Sequence, residues 1–539
     1  MKAPAWKVFM AATGYSALFP LKAAAILVGI STGVRIEFTG RRDISRSCSN
    51  LKITAEDEPK VDKVIQADVR AGKKAGPFVA QPYPHFSCSP IGAVPKREAG
   101  KIRVIHHLSY PRGGDSINAS TVDEYHQLGT FDRATDFVRQ LGPGCSLIKL
   151  DVEAAYKQVP VDPRDWPLLG FRWLGQYYHE RVLPFGLKSS CRLWELYATA
   201  LQHILERACG IRCVVHYVDD FLFVVKAREE ATRQLASALS VCERLGVPMA
   251  PDKTEGPTTC LTFLGVEIDT VKMEARLSDE RLKRLHSLLK DWEKKKTATI
   301  TELHSLEGVL HWTSRVVRPG RSFLSRLRHW RKERGAISEG PHSLTAEVLA
   351  DLRWWREFAA AWNGVSLLYE LNWREAAKIE LFTDACERGY GARYGNRWFE
   401  GAWSTADWNR ACNPSALVAA GKKTRSMPFL ELLALVFAAS TWGHLWASMK
   451  IRFVCDCMPV VTRVQARHSP NQRSMGPIRY LCTLAARHGF DFDCVWIAGV
   501  TNVAADLLSR GELAQFRSEV PTADQAPTAL VPLPPYELM

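Results

Sequence analysis

The sequence has no C-x-x-C pair, although it contains 14 cysteines. This absence argues against a zinc ribbon, and the scattered cysteines argue against a small disulfide framework. Acidic residues are in the minority, because 57 Asp and Glu stand against 71 Lys and Arg, which gives a formal net charge of +14. The unpaired cysteines predict a reducing compartment, and the basic charge suits a polyanionic partner.

Long apolar runs are also scarce. The stretch MKAPAWKVFMAATGYSALFPLKAAAILVGI at residues 1–30 is faintly similar to a secretory signal, but Pro20 and Lys22 interrupt its apolar run. The free cysteines argue further against export. No later run is expected to be long and apolar enough to span a membrane. The sequence therefore predicts an intracellular protein of the cytoplasm, the nucleus or both, without a membrane partner.

With 539 residues, 46% of them hydrophobic, the chain is long enough for several cores. The polar stretch TAEDEPKVDKV near the N-terminus predicts a linker or a loosely ordered arm. An α+β pattern follows, then a helical period, then a second α/β pattern, and finally a Pro- and Ala-rich end without periodicity. The predicted segments are an N-terminal extension that is partly disordered, an α+β domain, a helical region, an α/β domain and a disordered tail, at residues 1–75, 76–275, 276–375, 376–512 and 513–539.

The string HYVDDFLFVV sets Asp219 and Asp220 in an apolar run that reads as a strand. Two adjacent buried carboxylates are costly unless a cation lies beside them. Asp151 ends another apolar run, CSLIKLD, so the three carboxylates are expected to converge at strand ends. Two divalent cations between them would offset the repulsion and form a clamp for in-line phosphoryl transfer. The pattern therefore predicts a magnesium site that takes a triphosphate.

The strings LDVEAAYKQVPV, LPFGLKSS, YVDD, APDKTE and FLGVEI occur in this order, and together they resemble the palm motifs of reverse transcriptases. The resemblance implies two Mg²⁺ ions, with Mn²⁺ as a substitute, held by Asp151, Asp219, Asp220 and the main-chain carbonyl of Val152. It also implies that Tyr156 discriminates against ribonucleotides, although a Tyr in such a place is more often ordinary packing. Gly186, in the PFG turn, matches the loop that supports template and incoming nucleotide.

The stretch around residues 91–107 predicts a hairpin with basic arms. Lys96, Lys101 and Arg103 resemble the residues of reverse transcriptases that hold the triphosphate, where cationic donors balance the phosphoryl charge. Lys253, in PDK, is a candidate for protonating the pyrophosphate leaving group. The sequence departs from the family at His107, where many reverse transcriptases carry Asp.

Residues 278–365 have a helical period and a basic excess with interleaved tryptophans, among them Trp292, Trp312 and Trp330. Basic helices with aromatic spacing suit a phosphate backbone. A solvated charged face over a core that contains the tryptophans explains the same pattern equally well. Both interpretations stay open at this point.

Four acidic residues of the second α/β pattern, Asp384, Glu431, Asp456 and Asp506, fall on a first strand, a first helix, a central strand and a last helix. This order resembles ribonuclease H, which implies two further Mg²⁺ ions and hydrolysis of the RNA strand of a hybrid. Asn502 would then contact a ligand residue or the substrate. The segment WIAGVTN lacks the histidine that many ribonucleases H carry, and Asp491 and Asp493 are interpreted as turn residues.

Phrases such as IHHLSYPRGGDSIN, RVVRPGRSFLSRL and DLRWWREF resemble the polymerases of DIRS-type retrotransposons, the tyrosine-recombinase retroelements. The resemblance implies a right-hand polymerase with fingers, palm and a helical thumb and connection, followed by an α/β ribonuclease H-like domain. It implies an RNA template, a DNA primer, an RNA–DNA hybrid and deoxynucleoside triphosphates as partners. An LTR-type or pararetroviral polymerase and an inactive copy that only binds nucleic acid are the alternatives.

Overall fold

A computed structural model gives the fold, and it describes residues 1–95, 100–122, 128–335, 340–362, 365–367, 381–411, 426–469 and 471–533. The chain divides into two compact units, Met1–Phe263 and Leu264–Met539. Each unit has its own hydrophobic core. The finer division into fingers, palm, thumb and ribonuclease H-like segments stays a prediction.

The first unit mixes helices and strands, as its sequence predicts. Its helices are α1 (Ala3–Ala12), α2 (Tyr15–Leu18), α3 (Pro20–Thr32), α4 (Glu58–Arg70), α5 (Phe131–Leu141), α6 (Ser190–Ala208) and α7 (Arg228–Leu245). Its strands are β1 (Lys74–Phe78), β2 (Ile91–Pro95), β3 (Ile102–His106), β4 (Ser146–Asp151), β5 (Gly170–Trp173), β6 (Gln176–Glu180), β7 (Val214–Tyr217), β8 (Asp220–Val225), β9 (Glu255–Thr258) and β10 (Cys260–Phe263).

An antiparallel sheet with strand order β7-β8-β4-β9 forms the centre of this unit. The apolar residues of β4 and β8 are buried because helices cover the sheet. Helix α6 places one buried stripe in the core, at Leu193, Tyr197, Leu201 and Ile204, a spacing typical of a helix with one buried face. A second sheet has the order β1-β6-β5, and β2 pairs with β3 in the hairpin that the sequence predicts.

The structure describes all of residues 1–75 and places four helices, α1 to α4, within them, in contrast to the expected partly disordered extension; α4 covers much of the stretch TAEDEPKVDKV that was interpreted as a linker or loose arm. Helices α1 to α3 lie against the same core as the central sheet, where Trp6, Met10 and Ile26 are each 0% exposed. The Trp6 indole donates to the carbonyl of Leu245 at 3.2 Å. The local pattern did not indicate this because the contacts that bury these side chains come from distant parts of the chain.

We expect Trp6→Ala to destabilise the protein by about 3–5 kcal/mol, the usual cost of truncating a fully buried Trp. The side chain fills space beside Tyr197, with ring centroids 6.1 Å apart, and little else could replace it. Thermal unfolding measures the effect. Lys7→Ala, on the exposed side of the same helix, is the control and should unfold like the wild type. Equal midpoints for both variants would contradict the packing of α1.

The second unit begins with two antiparallel strands, continues with helices and ends in an α/β arrangement. Its helices are α8 (Asp279–Glu293), α9 (Ile300–Thr313), α10 (Ser325–Gly335), α11 (Ala346–Trp362), α12 (Thr405–Ala411), α13 (Met427–Trp442), α14 (Met458–Ala466), α15 (Gln472–His488), α16 (Val503–Ser509) and α17 (Leu513–Glu519). Its strands are β11 (Val266–Asp269), β12 (Glu274–Leu277), β13 (Thr297–Ala298), β14 (His342–Ser343), β15 (Val365–Leu367), β16 (Leu381–Ala385), β17 (Gly389–Tyr394), β18 (Arg397–Ala402), β19 (Lys450–Cys455) and β20 (Asp491–Trp496).

Helices α8 to α11 confirm the helical period of residues 278–365. Helix α9 starts with a capping box between Thr299 and Glu302. Trp292 and Trp330 are buried, which supports the core interpretation for these two residues. Trp312 is half-buried, and the Arg281 guanidinium lies 4.1 Å from its ring centroid.

A mixed five-stranded sheet with the order β18-β17-β16-β19-β20 organises the rest of the unit. Strands β18, β17 and β16 are antiparallel, whereas β19 runs parallel to β16 and to β20. Helix α13 lies between β16 and the later helices and belongs to the core. The predicted strands and helices occur in the predicted order, but β18, α12 and α14 are additional elements that the pattern did not indicate, so Glu431 lies on the second helix of this region and not on the first.

Within the part of the chain that the structure describes, one helical segment, Met427–Leu445, is long and apolar enough to cross a membrane by length and composition, contrary to the expectation that no such run exists. Its 18-residue window is 83% buried within the protein. A helix that is apolar on all sides is typical of a protein core as well as of a membrane span. The segment is therefore a core helix.

The C-terminal segment is also ordered where the structure describes it, so a wholly disordered tail at 513–539 is wrong. Phe516 of α17 is fully buried against Trp398. The Trp398 indole donates to the carbonyl of Asp524 at 2.7 Å, and the Thr528 N–H donates to the carbonyl of Trp398 at 2.7 Å. The tail thus runs beside β18. Its sequence has no periodicity and therefore could not indicate this contact.

Candidate active sites

Three carboxylates of the first unit lie at neighbouring strand ends. Asp151 ends β4 and is the direct register partner of Asp220, which begins β8. Asp219 lies in the turn before β8, and its carbonyl accepts from the Val152 N–H at 2.9 Å. The convergence that the sequence predicts is therefore present in the structure.

The turn that presents Asp219 is strained. Val218 has a φ of 57°, a left-handed conformation that a β-branched residue rarely adopts. The Trp194 indole holds this turn by donating to the carbonyl of Val218 at 2.7 Å. Backbone strain that the surroundings maintain is common at functional sites, because it fixes a side chain in one place.

The electrostatics of the cluster favour a bound cation. Burial, and then the neighbouring Asp219 and Asp151, raises the pKa of Asp220 to about 6, and burial followed by Asp151 raises the pKa of Asp219. Lys253 offsets part of the charge, with its Nζ 2.9 Å from Asp151 Oδ1. Carboxylate oxygens are the donors that Mg²⁺ prefers, so this set fits a magnesium site. The Val152 carbonyl as a further ligand stays a prediction.

A cleft of about 420 Å³ opens beside these carboxylates. Its lining includes Asp151 and Asp219 together with three of the predicted basic residues, Lys101, Arg103 and Lys253. Lys96 lies outside the described residues. The cleft is thus acidic where the carboxylates meet, and it is basic along β3 and at Lys253, shortly before β9. This arrangement of charges suits a metal-bound polyphosphate.

Two residues that the sequence did not single out also line the cleft, Val64 of α4 and Lys157. Lys157 Nζ lies 2.6 Å from Asp68 Oδ2, and Lys74 Nζ lies 3.6 Å from the same oxygen. Helix α4 thus contributes a wall and a carboxylate near the site. In the sequence, only the neighbouring motif residue Tyr156 could have indicated a role for Lys157, because the lysine itself cannot be told from an ordinary surface lysine.

Tyr156 and the PFG turn lie together. The rings of Tyr156 and Phe185 have centroids 5.2 Å apart, and the Arg103 guanidinium lies 4.7 Å from the Phe185 ring centroid. Burial raises the pKa of Tyr156. This contact is compatible with ordinary packing and with a role near the sugar, so discrimination by Tyr156 against ribonucleotides stays a prediction.

His107 is half-buried, and its main-chain N–H donates to the Pro90 carbonyl at 2.7 Å.

We expect Gly186→Ala to destabilise the first unit by roughly 1–3 kcal/mol, the cost of backbone strain at one residue, and to slow any reaction in the cleft. Gly186 has a φ of +116°, and an added Cβ would overlap the carbonyl oxygen of His106, at the end of β3. Thermal unfolding measures the first effect, and the rate of the reaction that takes place in the cleft measures the second.

Gly175→Ala is the matched control for this substitution. Gly175 has a φ of +81°, but a Cβ there would meet nothing within 4 Å. It therefore reports strain without the overlap. Equal losses in both variants would mean that the close approach of Gly186 to β3 is unimportant.

In the second unit, three of the four predicted acidic residues lie close together. Asp384 is on β16, Glu431 is on α13 and Asp456 directly follows β19. Asp384 Oδ2 accepts from the Ser509 hydroxyl at 2.6 Å. Asp506 is more exposed and pairs with Arg510, whose Nε donates to Asp506 Oδ1 at 2.8 Å. Its negative charge still contributes to raising the pKa of Asp384.

The chemistry of this cluster also fits a divalent metal. Burial first, and then Asp384 and Asp456, raises the pKa of Glu431 to about 9, while burial chiefly raises the pKa of Asp384 to about 6. Glu431 Oε2 is buried and has no hydrogen-bond partner among the described residues. An unsatisfied buried oxygen between like charges is stabilised by a cation.

We expect the metal-free protein to lose stability as the pH rises from 4.5 towards about 9, because the native state then holds a proton on Glu431 that the unfolded chain has released. Glu431→Gln removes this group and should flatten the decline. Thermal midpoints measured in a chelator from pH 5 to pH 9 test this expectation. Parallel pH profiles for the two proteins would contradict it.

Neighbouring residues support the cluster. The Asn502 side chain donates to the carbonyl of Thr383, next to Asp384, at 3.1 Å, so Asn502 ties α16 to β16. The Trp496 indole donates to the carbonyl of Asp456 at 2.9 Å, and sequence reasoning missed this residue because a strand Trp usually indicates packing.

Asp491 and Asp493 are strand residues of β20, so their interpretation as turn residues is wrong. Asp491 Oδ1 lies 2.6 Å from a guanidinium nitrogen of Arg467, and Asp493 Oδ2 lies 3.8 Å from Arg452 Nε. Pairing with β19 extends the strand over both residues, and that pairing is not visible in the local sequence.

Known proteins resemble the first of these regions in sequence. Residues 94–268 match the model of the family "Reverse transcriptase (RNA-dependent DNA polymerase)". The enzymatic polyprotein of Cauliflower mosaic virus (strain Strasbourg) is 26% identical over 175 residues, which cover 32% of this chain and 23% of that protein. The enzymatic polyprotein of Carnation etched ring virus is 23% identical over 445 residues, which cover 78% of this chain and 58% of that protein. The chain thus spans less than two thirds of the length of these relatives.

A solved structure has the same fold. The foamy viral protease-reverse transcriptase, solved in complex with ds DNA, is 16% identical with a TM-score of 0.50, and the match covers 86% of this chain and 73% of that one. This likeness shows a mixed α and β architecture of the right-hand polymerase type. Together with the family match, it shows that the chain carries a reverse transcriptase domain of the retroviral and retroelement type.

Proposed function

We propose that the chain is an RNA-directed DNA polymerase that extends a DNA primer on an RNA template with deoxynucleoside triphosphates. One observation carries the proposal: Asp151 pairs directly with Asp220, and Asp151 and Asp219 line a cleft that also contains basic side chains. Nucleotidyl transfer requires oxygen donors that hold divalent cations and, opposite them, cationic groups that bind the triphosphate. The three carboxylates and the basic side chains meet these two requirements.

In this proposal each group has a separate task. Asp151, Asp219 and Asp220 would hold two Mg²⁺ ions, which supply charge neutralisation and activate the primer hydroxyl when bound. Lys101 and Arg103 donate to the triphosphate and orient it. Lys253, already within 2.9 Å of a metal-binding carboxylate, is placed to give a proton to the leaving pyrophosphate. Tyr156 would lie beside the sugar of the incoming nucleotide, and Gly186 would belong to the loop that supports the template and this nucleotide.

We propose further that the second unit cleaves the RNA strand of an RNA–DNA hybrid. The convergence of Asp384, Glu431 and Asp456, with Asp506 nearby, supports this activity, as does the buried oxygen of Glu431 without a partner. The four acidic residues would hold two Mg²⁺ ions, and they are also the groups that would orient the attacking water. The histidine that many ribonucleases H carry is missing from WIAGVTN, and Trp496 occupies this neighbourhood instead.

The partners follow from this activity. An RNA template, a DNA primer and their hybrid would contact basic surfaces, and helix α8 exposes Lys283, Arg284 and Lys290. The foamy viral neighbour was solved with ds DNA, which is in keeping with a nucleic-acid partner.

We also propose that the chain belongs to a DIRS-type, tyrosine-recombinase retroelement and acts inside the cell, in the cytoplasm, the nucleus or both. A tyrosine-recombinase gene beside its coding sequence would test this assignment.

The experiment is primer extension by the purified protein on a labelled RNA template with Mg²⁺ and deoxynucleotides, so that extension and template cleavage are measured in one tube. Both products are expected. Extension without cleavage would refute the activity proposed for the second unit. Binding of the hybrid without either product, while a control enzyme works, would refute both activities and favour a copy that only binds nucleic acid.

A further inference from the structure

A cysteine lies within the acidic cluster of the second unit. The central carboxylate, Asp456, has cysteines on both sides in the sequence C-D-C. The Sγ of Cys455, one carboxylate oxygen of Glu431 and one of Asp456 all lie within 4.8 Å of one another. Three potential ligand atoms therefore surround one point.

The immediate surroundings bury these atoms and restrain the sulfur. Cys455 is 0% exposed and Glu431 is 7% exposed, so neither is an ordinary surface group. The Cys457 N–H lies 3.4 Å from the Cys455 sulfur and restrains it. Glu431 Oε2 is buried without a hydrogen-bond partner among the described residues, and a buried carboxylate oxygen of this kind is stabilised by a cation.

The mixed ligand set selects the class of ion. Mg²⁺ binds oxygen and does not favour sulfur, whereas Zn²⁺ and other thiophilic ions bind thiolate together with carboxylate. Ligand atoms around one tetrahedral zinc lie roughly 3.5 Å apart, so small side-chain rotations would close the observed spacing. The thiol would lose its proton to water on binding, and the cation would balance the new negative charge.

We propose that Glu431, Cys455 and Asp456 form a binding site for a thiophilic divalent cation, of which zinc and cadmium are examples. The consequence for regulation rests on the function proposed above: the cation occupies two carboxylates needed for RNA cleavage and therefore blocks cleavage, while the site around Asp151 continues to work. Zinc would then separate the two activities of the chain.

The first test is a titration with Cd²⁺ alone, followed by the ultraviolet charge-transfer absorbance of the cadmium–sulfur bond. Wild type, Cys455→Ser and Cys494→Ser are compared, because Cys494 is an equally buried cysteine on the neighbouring strand β20 but not one of the three ligands. The tightest-binding step should disappear in Cys455→Ser and persist in Cys494→Ser. An unchanged titration in Cys455→Ser would overturn the proposal.

The second test uses labelled RNA–DNA hybrid with Mg²⁺ and increasing Zn²⁺, and each rate is divided by the same variant's rate without zinc. Cys455→Ser should require at least about tenfold more zinc for half-inhibition of cleavage, since the loss of a ligand weakens metal binding by at least that factor. Equal inhibition of wild type and Cys455→Ser would overturn the proposal.

The two tests also separate the failure of this inference from that of the proposed function. A wild-type protein that does not cleave RNA with Mg²⁺ refutes the hydrolytic function, and the cadmium titration then still decides whether the metal site exists. Should Cys455→Ser fail to fold, Glu431→Gln serves in the cadmium titration and is expected to weaken the tightest-binding step. An unchanged titration in Glu431→Gln would equally overturn the proposal.

Discussion

Asp219→Asn should abolish primer extension while template cleavage on a preformed hybrid continues. The substitution keeps the shape of the side chain but removes a negative charge from the point where Asp151 and Asp220 meet. Metal-assisted stabilisation of the transition state contributes several kcal/mol, so its loss should slow nucleotide incorporation by on the order of 10³-fold or more. Single-nucleotide incorporation with excess protein measures this rate directly.

Asp252→Asn is the matched control for this experiment. Asp252 lines the same cleft and is exposed, but it lies outside the cluster of three carboxylates. It should leave incorporation within a few-fold of wild type, because an exposed charge is screened by water. An Asp219→Asn protein that incorporates nucleotides at the wild-type rate would refute the proposed polymerase site.

Glu431→Gln should have the reverse effect and abolish template cleavage while primer extension continues. Gln cannot supply a negative charge to a divalent cation, and it replaces a buried carboxylate that interacts with both Asp384 and Asp456. We expect cleavage to fall by on the order of 10³-fold, for the same reason as in the polymerase site. The labelled template reports cleavage, and primer length reports extension in the same tube.

Asp493→Asn is the control in the second unit. Asp493 is on β20 and faces Arg452 across the strand pair, so its substitution removes a carboxylate of the same sheet without touching the acidic cluster. Cleavage should continue. If Glu431→Gln cleaves RNA as fast as wild type, the acidic cluster of the second unit is not the site of hydrolysis.

The pair of substitutions gives a pattern that a nucleic-acid-binding copy could not produce. Each variant should lose one product and keep the other, and both should bind primer–template as the wild type does. Loss of both products in each variant, with lower thermal midpoints, would instead indicate that the carboxylates act through folding. Thermal unfolding of each variant in a chelator is therefore measured beside the rates.

Much of the proposed polymerase site was predictable from local sequence. Acidic residues that interrupt apolar strand patterns stand out, since burying a charge is costly and a functional reason for it is expected. The order of the motifs around Asp151, Asp219 and Lys253 was equally visible, and the structure brings these three residues together. Lys157 was missed because nothing in its own neighbourhood shows that Asp68, far away in the chain, directs it beside the cleft.

The N-terminal segment and helix α13 show the opposite case. The apolar helices around Trp6 have a composition that suits a secretory signal, a membrane contact or a core, and only the contact with Leu245 decides between them. The same holds for α13, whose apolar surface is explained by the strands and helices that bury it. Composition determines that a side chain avoids water, but it does not determine which surface covers it.

By itself, the sequence of this protein determined which charged residues lie within apolar strand patterns and in which order the carboxylates occur. It also determined, through the 3.6-residue period, where many of the helices lie. These features depend on neighbours within a few positions. Only the tertiary structure decided that Asp151 faces Asp220, that Asp491 belongs to a strand, and that Cys455 lies beside Glu431. Such contacts join residues that are distant in the chain, and they form where strand register and core packing satisfy the whole fold at once.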